Sequence, residues 1–245
     1  MTSPDDEEAI GIGPEDEWNI VCTKERFAFL IEQDFFPLLV ALARAVNGIR
    51  FCLAAGVAST GAESPDMRRG RTQAFFHAAA HLYEILDLVS KLQSAFANLE
   101  AFRAKLLPLV EDEATVALRE NELRLIRNRL TFHAADTTAL REGLRKMAKF
   151  PVEQHVFAVA RGWRAADVYY LIGDVAAQVY VVGGESSSYR KKVETLVEQV
   201  IDLATNMVAA LDDVIAEVFN HPERLVPPLP RATANGDDPV TEDEV

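Results

Sequence analysis

Cysteine is scarce in this chain, and its two cysteines, Cys22 and Cys52, form no C-x-x-C pair and no spacing typical of a metal site. Both lie among apolar residues, so we predict buried or partly buried thiols in a reducing compartment. The sequence also lacks a Gly-rich phosphate loop, a G-x-S-x-G element and a Cys–His pairing, which argues against P-loop nucleotide chemistry and against serine or cysteine hydrolases. We predict no cofactor.

No uninterrupted apolar run is long enough to cross a membrane. The most apolar region, Phe35 to Ala58, is interrupted by Arg44 and Arg50 and falls short of the roughly 18 uninterrupted residues that a membrane span requires. The N-terminus is acidic and lacks the apolar segment of a secretory signal. We therefore predict a cytoplasmic protein without a membrane partner.

Basic residues are missing from both ends of the chain. Residues 1–18 carry seven acidic side chains and residues 232–245 carry five, with no Lys or Arg in either segment, so the formal charge of -13 reduces to about -1 for residues 19–231. A near-neutral body argues against non-specific coating of nucleic acid, although it leaves room for a local basic cleft. Both ends are predicted to be disordered, because they contain too little apolar surface to fold. They would aid solubility or screen basic patches.

What the sequence does contain is helical periodicity. We predict an all-α bundle of about five to six helices at residues 23–221, flanked by an acidic tail at 1–22 and a Pro-rich, then acidic tail at 222–245. Apolar residues recur at steps of three and four from Phe75 to Leu99 and again along the last helix, as in bundle packing. The predicted helix boundaries are a break at Pro37, a start at Ser64-Pro65, stops at Pro108 and Gly183, a start near Asp112, and a start at Ser186.

The third helix carries the most informative segment, Arg127-Asn128-Arg129-Leu130-Thr131-Phe132-His133. The side of this helix that is predicted to face the bundle interior carries Val116, Arg119, Leu123, Ile126, Leu130 and His133. An arginine can hold a phosphate through paired donors, and a histidine can move a proton near neutral pH. Six residues along an ideal helix rotate by about 240° and rise by roughly 9 Å. Arg127 and His133 would therefore meet only through a helix break, the reach of the arginine or a second subunit, and Arg129 is the rival cation.

The segment resembles the signature of the HEPN superfamily of helical-bundle proteins, which is an arginine, an adjacent polar residue and a histidine after four to six positions. Arg127, Asn128 and His133 match it. The resemblance implies a homodimer in which two such motifs line one cleft and cleave RNA without a metal. In that interpretation His133 transfers a proton at the ribose 2′-hydroxyl or the leaving oxygen, Arg127 binds the phosphate, and Asn128 orients the phosphate or the imidazole. DNA lacks the 2′-hydroxyl nucleophile and is expected to be inert. A defence or toxin–antitoxin role follows only by analogy.

Two alternatives to a ribonuclease remain open. In the first, His133 is a core residue and Arg127 forms an ion pair with Glu120 or Glu122, which would make the protein a non-enzymatic interaction module of the same fold. In the second, His77, His81 and Glu84 lie on one side of a helix and hold a metal together with a ligand from another helix. No E-x-x-H pair occurs in the sequence to complete that arrangement, so we predict no metal site.

If the protein binds RNA, basic residues near the motif are expected to line its path. Arg141, Arg145, Lys146 and Lys149 are predicted to form a basic face after His133. Arg68, Arg69 and Arg71 open the second helix, where cations oppose the helix dipole. That cluster would be a solvated helix end, or would meet a phosphate or an acidic tail.

Overall fold

The computed structural model describes residues 23–58, 64–131, 137–150, 171–183 and 186–225. Eight α-helices occur in these ranges: α1 (Lys24–Ile31), α2 (Phe36–Ala58), α3 (Pro65–Phe96), α4 (Leu107–Glu111), α5 (Glu113–Leu118), α6 (Thr137–Met147), α7 (Leu171–Val182) and α8 (Ser186–Asn220). Three π-helical segments (Phe102–Leu106, Arg119–Leu123, Ile126–Thr131) and a 3₁₀ turn (Pro222–Arg224) complete them. No strand occurs in the described residues. The predicted all-α fold is confirmed.

The core forms where α2, α3 and α8 pack together. Its fully buried side chains come from all three helices and include Leu42, Leu82 and Val214. The predicted apolar face of α8 is confirmed, since Leu196, Val200, Ala204, Met207, Leu211 and Val218 are also buried. Burial of each such side chain contributes roughly 1.5–3 kcal/mol. These three helices therefore provide the rigid base on which the shorter helices lie.

Local capping explains several helix boundaries. The Ser64 hydroxyl accepts a hydrogen bond from the amide of Met67 at 3.2 Å, and Pro65 follows it in the first turn of α3. The Asp112 carboxylate likewise accepts from the amide of Thr115 at 3.0 Å and starts α5. Gly183 ends α7 with a φ of 58°, a left-handed conformation that glycine adopts without strain. These predicted boundaries are confirmed.

The predicted stop at Pro108 is wrong. Helix α3 already ends at Phe96, and Pro108 lies within the first turn of α4. A proline is tolerated there because the first amides of a helix have no partner within the helix. The π-helical segment Phe102–Leu106 leads directly into α4, and the amide of Leu107 bonds to the carbonyl of Phe102.

The predicted interior-facing side of the third helix is wrong at Val116, which is 47% exposed. Thr115 and Leu118 are buried in its place, and the next buried residue, Leu123, comes five positions later. That step spans the π-helical segment Arg119–Leu123, whose wider turn holds one residue more than an α-turn. The extra residue rotates Leu123 and Ile126 onto the core.

Helix α2 is long and apolar enough to cross a membrane by length and composition. However, six of its residues (Leu39, Leu42, Ala45, Val46, Ile49 and Cys52) are buried in the protein, as in the core helix of a bundle. Arg50 on its flank forms an ion pair with Asp212 of α8. Cys52 is confirmed as a buried free thiol, and its burial raises its pKa.

Glu217 of α8 acts as a cap for a different helical segment. Its carboxylate accepts hydrogen bonds from the amides of Glu100 and Ala101, at 3.0 and 2.8 Å, and from Nη1 of Arg224 at 2.9 Å. Burial by itself would raise the pKa of Glu217, but the two backbone bonds and Arg224 outweigh it and lower the pKa. The carboxylate therefore holds the end of α8 to the segment that leads into α4.

We expect Glu217→Gln to lower the free energy of unfolding by about 1–3 kcal/mol at pH 7, because it weakens charge-assisted hydrogen bonds. A lowered pKa means that this stabilisation is present above the pKa of the unfolded state and is lost as the pH falls through the folded value. The difference between wild type and variant in denaturant titrations should therefore shrink below about pH 4. Glu198→Gln, an exposed position on α8, is the control. A difference that does not depend on pH would contradict this explanation.

Helices α6 and α7 cross at a glycine. A Cβ atom at Gly143 would overlap the carbonyl oxygen of Ala176. The absence of a side chain at Gly143 therefore allows close approach of the two backbones. Beside this crossing, Phe150, Val175 and Val179 form a second small apolar cluster. The α6–α7 pair supplies one wall of the cavity described below.

Candidate functional site

The π-helical segment Ile126–Thr131 carries two of the three predicted site residues. Ile126 is fully buried and anchors the segment, while Arg127 and Asn128 are half-buried beside it. Nη1 of Arg127 donates a hydrogen bond to Oδ1 of Asn128 at 2.9 Å. The structure thus brings together the cation and the amide of the motif. His133 lies outside the described residues, two positions beyond the end of this segment.

Arg127 has an acidic partner on another helix. Its Nε donates to Oε1 of Glu84 on α3 at 2.6 Å, and the two side chains are 36% and 31% exposed. The ion pair predicted for Arg127 with Glu120 or Glu122 is therefore replaced by one with Glu84, while Glu120 lies 3.9 Å from Arg119. Glu84 and Asn128 together fix the plane of the guanidinium, because each bond constrains a different nitrogen.

The face of α3 that carries Glu84 also carries His81 and His77, one and two turns earlier. The ring of His81 lies against α2, where a Cβ atom at Gly48 would come within 2.6 Å of its Nε2. Burial lowers the pKa of His81, His77 and Arg44 lower it further, and Glu84 opposes them. His81 is accordingly a neutral, packed imidazole near neutral pH. No group of three or more His, Cys, Asp or Glu side chains in the described ranges could hold a metal ion.

A cavity of about 270 Å³ opens beside the motif segment; we call it the Arg129 cavity. Four elements enclose it: α3, the motif segment, α6 and α7. Its lining residues are Gln73, Phe76, His77, Arg129, Leu130, Thr131, Leu140, Gly173, Asp174 and Ala177. Across it, Nε2 of Gln73 donates to the two carboxylate oxygens of Asp174 at 3.1 and 3.4 Å. The rival cation Arg129 therefore faces a different environment from Arg127.

A second cavity, of about 440 Å³, lies between α2 and α3. It is mostly apolar, with Phe51, Cys52 and Ala74 on its wall, and His81 and His77 supply its imidazoles. His77 lines both cavities, so its ring forms part of the partition between them. The predicted placement of His77 and His81 beside the apolar face of α3 agrees with these positions.

Sequence reasoning considered Glu84 only as a metal ligand and gave no role to Gln73 or Asp174. The spacing of Glu84 from His81 and His77 placed it on the correct face of α3, but its partner on another helix was not visible in the sequence. Asp174 follows a Gly in an apolar helix, and its hydrogen bond with Gln73 of α3 forms only when the two helices come together in the fold.

No protein-family model, curated protein or solved structure matches the chain. Among the described residues, the fold brings Arg127, Asn128 and Glu84 together at one point and forms the Arg129 cavity from the following residues of the same segment.

Proposed function

We propose that this chain is a metal-independent endoribonuclease of the HEPN type, acting in the cytoplasm as a homodimer. The observation that carries the proposal is the hydrogen-bonded pair of Arg127 and Asn128, held by Glu84 within the segment Ile126–Thr131, which precedes His133 in the sequence. A guanidinium fixed in one orientation matches the needs of a phosphodiester, whose charge grows in the transition state. The positioning takes place before the substrate binds.

The proposed reaction is an internal transfer within RNA. The ribose 2′-oxygen attacks the adjacent phosphorus, its proton passes to a base, and the bond from phosphorus to the 5′-oxygen breaks as that oxygen gains a proton. The products are a 2′,3′-cyclic phosphate and a 5′-hydroxyl. His133 is assigned one or both proton transfers, in a cleft shared with the second subunit. Arg127 binds the phosphate, and Asn128 orients it or the imidazole.

One observation favours a second candidate, a non-enzymatic interaction module. The Arg127–Glu84 contact joins the motif segment to α3, and a bundle that only needed to pack would keep such a link. In that case Arg127 would contribute to stability rather than to catalysis.

The test incubates the purified protein with total RNA in the presence of a chelator. We expect cleavage, and we expect His133→Ala to reduce its rate by about 10²–10⁴-fold, the contribution of general acid–base catalysis. His221→Ala, at an exposed histidine after α8, is the matched control and should cleave normally. DNA of the same sequence should remain intact, and the RNA products should carry cyclic phosphate ends.

Equal cleavage by wild type and His133→Ala, or no cleavage by either, would overturn the proposal and favour the interaction module. Sedimentation of the same samples reports the homodimer separately. A monomer that cleaves RNA would remove the shared cleft and leave the chemistry within one subunit.

A further inference from the structure

The Arg129 cavity adjoins the motif, and its wall has the chemistry of a nucleobase site. Arg129, Leu130 and Thr131 belong to the same π-helical segment as Arg127 and Asn128, so the cavity and the motif share one structural element. The hydroxyl of Thr131 donates to the carbonyl of Phe76 on α3 at 3.4 Å and fixes that side of the cavity. The proposed ribonuclease function places the phosphate of the RNA at Arg127, and the cavity is lined by later residues of the same segment.

The volume of the Arg129 cavity limits the size of the ligand that can bind there. At about 270 Å³, the cavity lies just below the range of roughly 300–1,000 Å³ that holds drug-sized ligands. One flat ring system fits this space better than a dinucleotide. The apolar part of the wall, formed by Phe76, Leu130, Leu140 and Ala177, offers the contact surface that a base needs.

The polar part of the wall contains hydrogen-bonding side chains. Asp174 offers carboxylate oxygens, which Gln73 holds across the cavity through its amide at 3.1 and 3.4 Å. Arg129 also lines this cavity. The lining of the cavity therefore includes one carboxylate and one guanidinium, planar groups that can each form paired hydrogen bonds.

Guanine is the base whose hydrogen-bonding groups match both the carboxylate and the guanidinium. Its N1–H and N2–H₂ groups form a double donor edge for a carboxylate, and its O6 and N7 atoms accept from an arginine. Adenine and cytosine present a single amino group to a carboxylate, and uracil presents no amino group. We propose that the Arg129 cavity binds a guanine base of the RNA substrate, with Asp174 and Arg129 as the specificity-determining residues. This inference rests on the proposed ribonuclease function, because it names that enzyme's substrate preference.

The experiment measures binding without requiring cleavage. Guanosine 3′-monophosphate is titrated calorimetrically into the wild-type protein, alongside the adenosine, cytidine and uridine monophosphates. We expect tighter binding of the guanosine nucleotide by about 5- to 150-fold, the discrimination that one bidentate contact provides. Asp174→Asn replaces one acceptor oxygen with a donor and should remove most of this preference, while the weaker nucleotides bind as before.

A second variant distinguishes a loss of guanosine binding from a folding defect of Asp174→Asn. Arg129→Gln changes an exposed side chain and should weaken the guanosine nucleotide selectively, and Arg124→Ala, an exposed arginine of the same helical stretch, should leave all four affinities unchanged. Thermal melts of each variant report folding. Equal affinities for the four nucleotides, or a guanosine preference that survives in both Asp174→Asn and Arg129→Gln, would overturn the inference.

The two proposals can fail separately. Guanosine-selective binding by a protein that never cleaves RNA would support the base site and remove the ribonuclease. RNA cleavage that depends on His133 but shows no preference for guanine at the cut site would keep the ribonuclease and remove the base site. Mapping the cut positions by sequencing the product ends distinguishes these results.

Discussion

Replacing Arg127 with alanine is expected to slow RNA cleavage by about 10²–10³-fold, the usual loss when one donor to a developing oxyanion is removed. The same change should lower the free energy of unfolding by less than about 1 kcal/mol, because the ion pair with Glu84 is about one-third exposed on both sides. Single-turnover cleavage assays and denaturant titrations on the same preparation measure the two effects. A large decrease in the cleavage rate together with a small decrease in the free energy of unfolding would indicate that Arg127 acts in catalysis rather than in packing.

Two variants sharpen this comparison. Arg124→Ala removes an exposed arginine three positions earlier and should alter neither rate nor stability. Arg127→Lys keeps the charge but loses the planar pair of donors, so we expect a rate nearer to that of Arg127→Ala than to wild type. An Arg127→Ala protein that cleaves RNA normally but unfolds much more easily would instead make Arg127 a packing residue.

Gly143→Ala is expected to be the most destabilising single-methyl addition in the α6–α7 pair. The new Cβ would overlap the backbone oxygen of Ala176, and a backbone cannot move aside as a flexible side chain can. Such overpacking costs typically 1–3 kcal/mol. For a domain of this size each kcal/mol lowers the melting temperature by about 2–4 °C, which a calorimetric melt can measure.

Gly56→Ala is the matched control for this measurement. Gly56 also lies within a helix, α2, but a Cβ atom there meets nothing within 4 Å. Alanine loses less conformational entropy on folding than glycine, so this variant should be neutral or more stable by up to about 1 kcal/mol. A similar loss of stability in both variants would show that helix propensity, rather than the crossing, explains the result at Gly143.

Features encoded over a few neighbouring residues were predictable from the sequence. Ser64 and Asp112 cap helices through their own local backbone, and Gly183 ends a helix through its own φ angle. The apolar face of α8 was predictable because its buried residues recur at steps of three and four along one uninterrupted α-helix. The all-α fold class required nothing more than these local patterns.

Features that depend on contacts between helices were not predictable in the same way. Pairing of Arg127 with Glu84 joins residues 43 positions apart, and the sequence offered nearer acidic side chains with equal chemistry. The position of Val116 was misjudged because a π-turn has no sequence signature as clear as proline or glycine. Asp174 reaches Gln73 over 101 positions, so the Arg129 cavity exists only once four elements have packed.

The π-turn at Arg119–Leu123 also bears on how this chain should be compared with others. A helix that gains one residue without breaking presents every later side chain about 100° away from its former direction. Gap-free superposition on an uninterrupted helix would therefore equate Arg127 with a residue that points elsewhere. An uninterrupted α-helix aligned with this stretch would need a one-residue gap between Leu118 and Ile126 to bring the core-facing residues of the two helices into register.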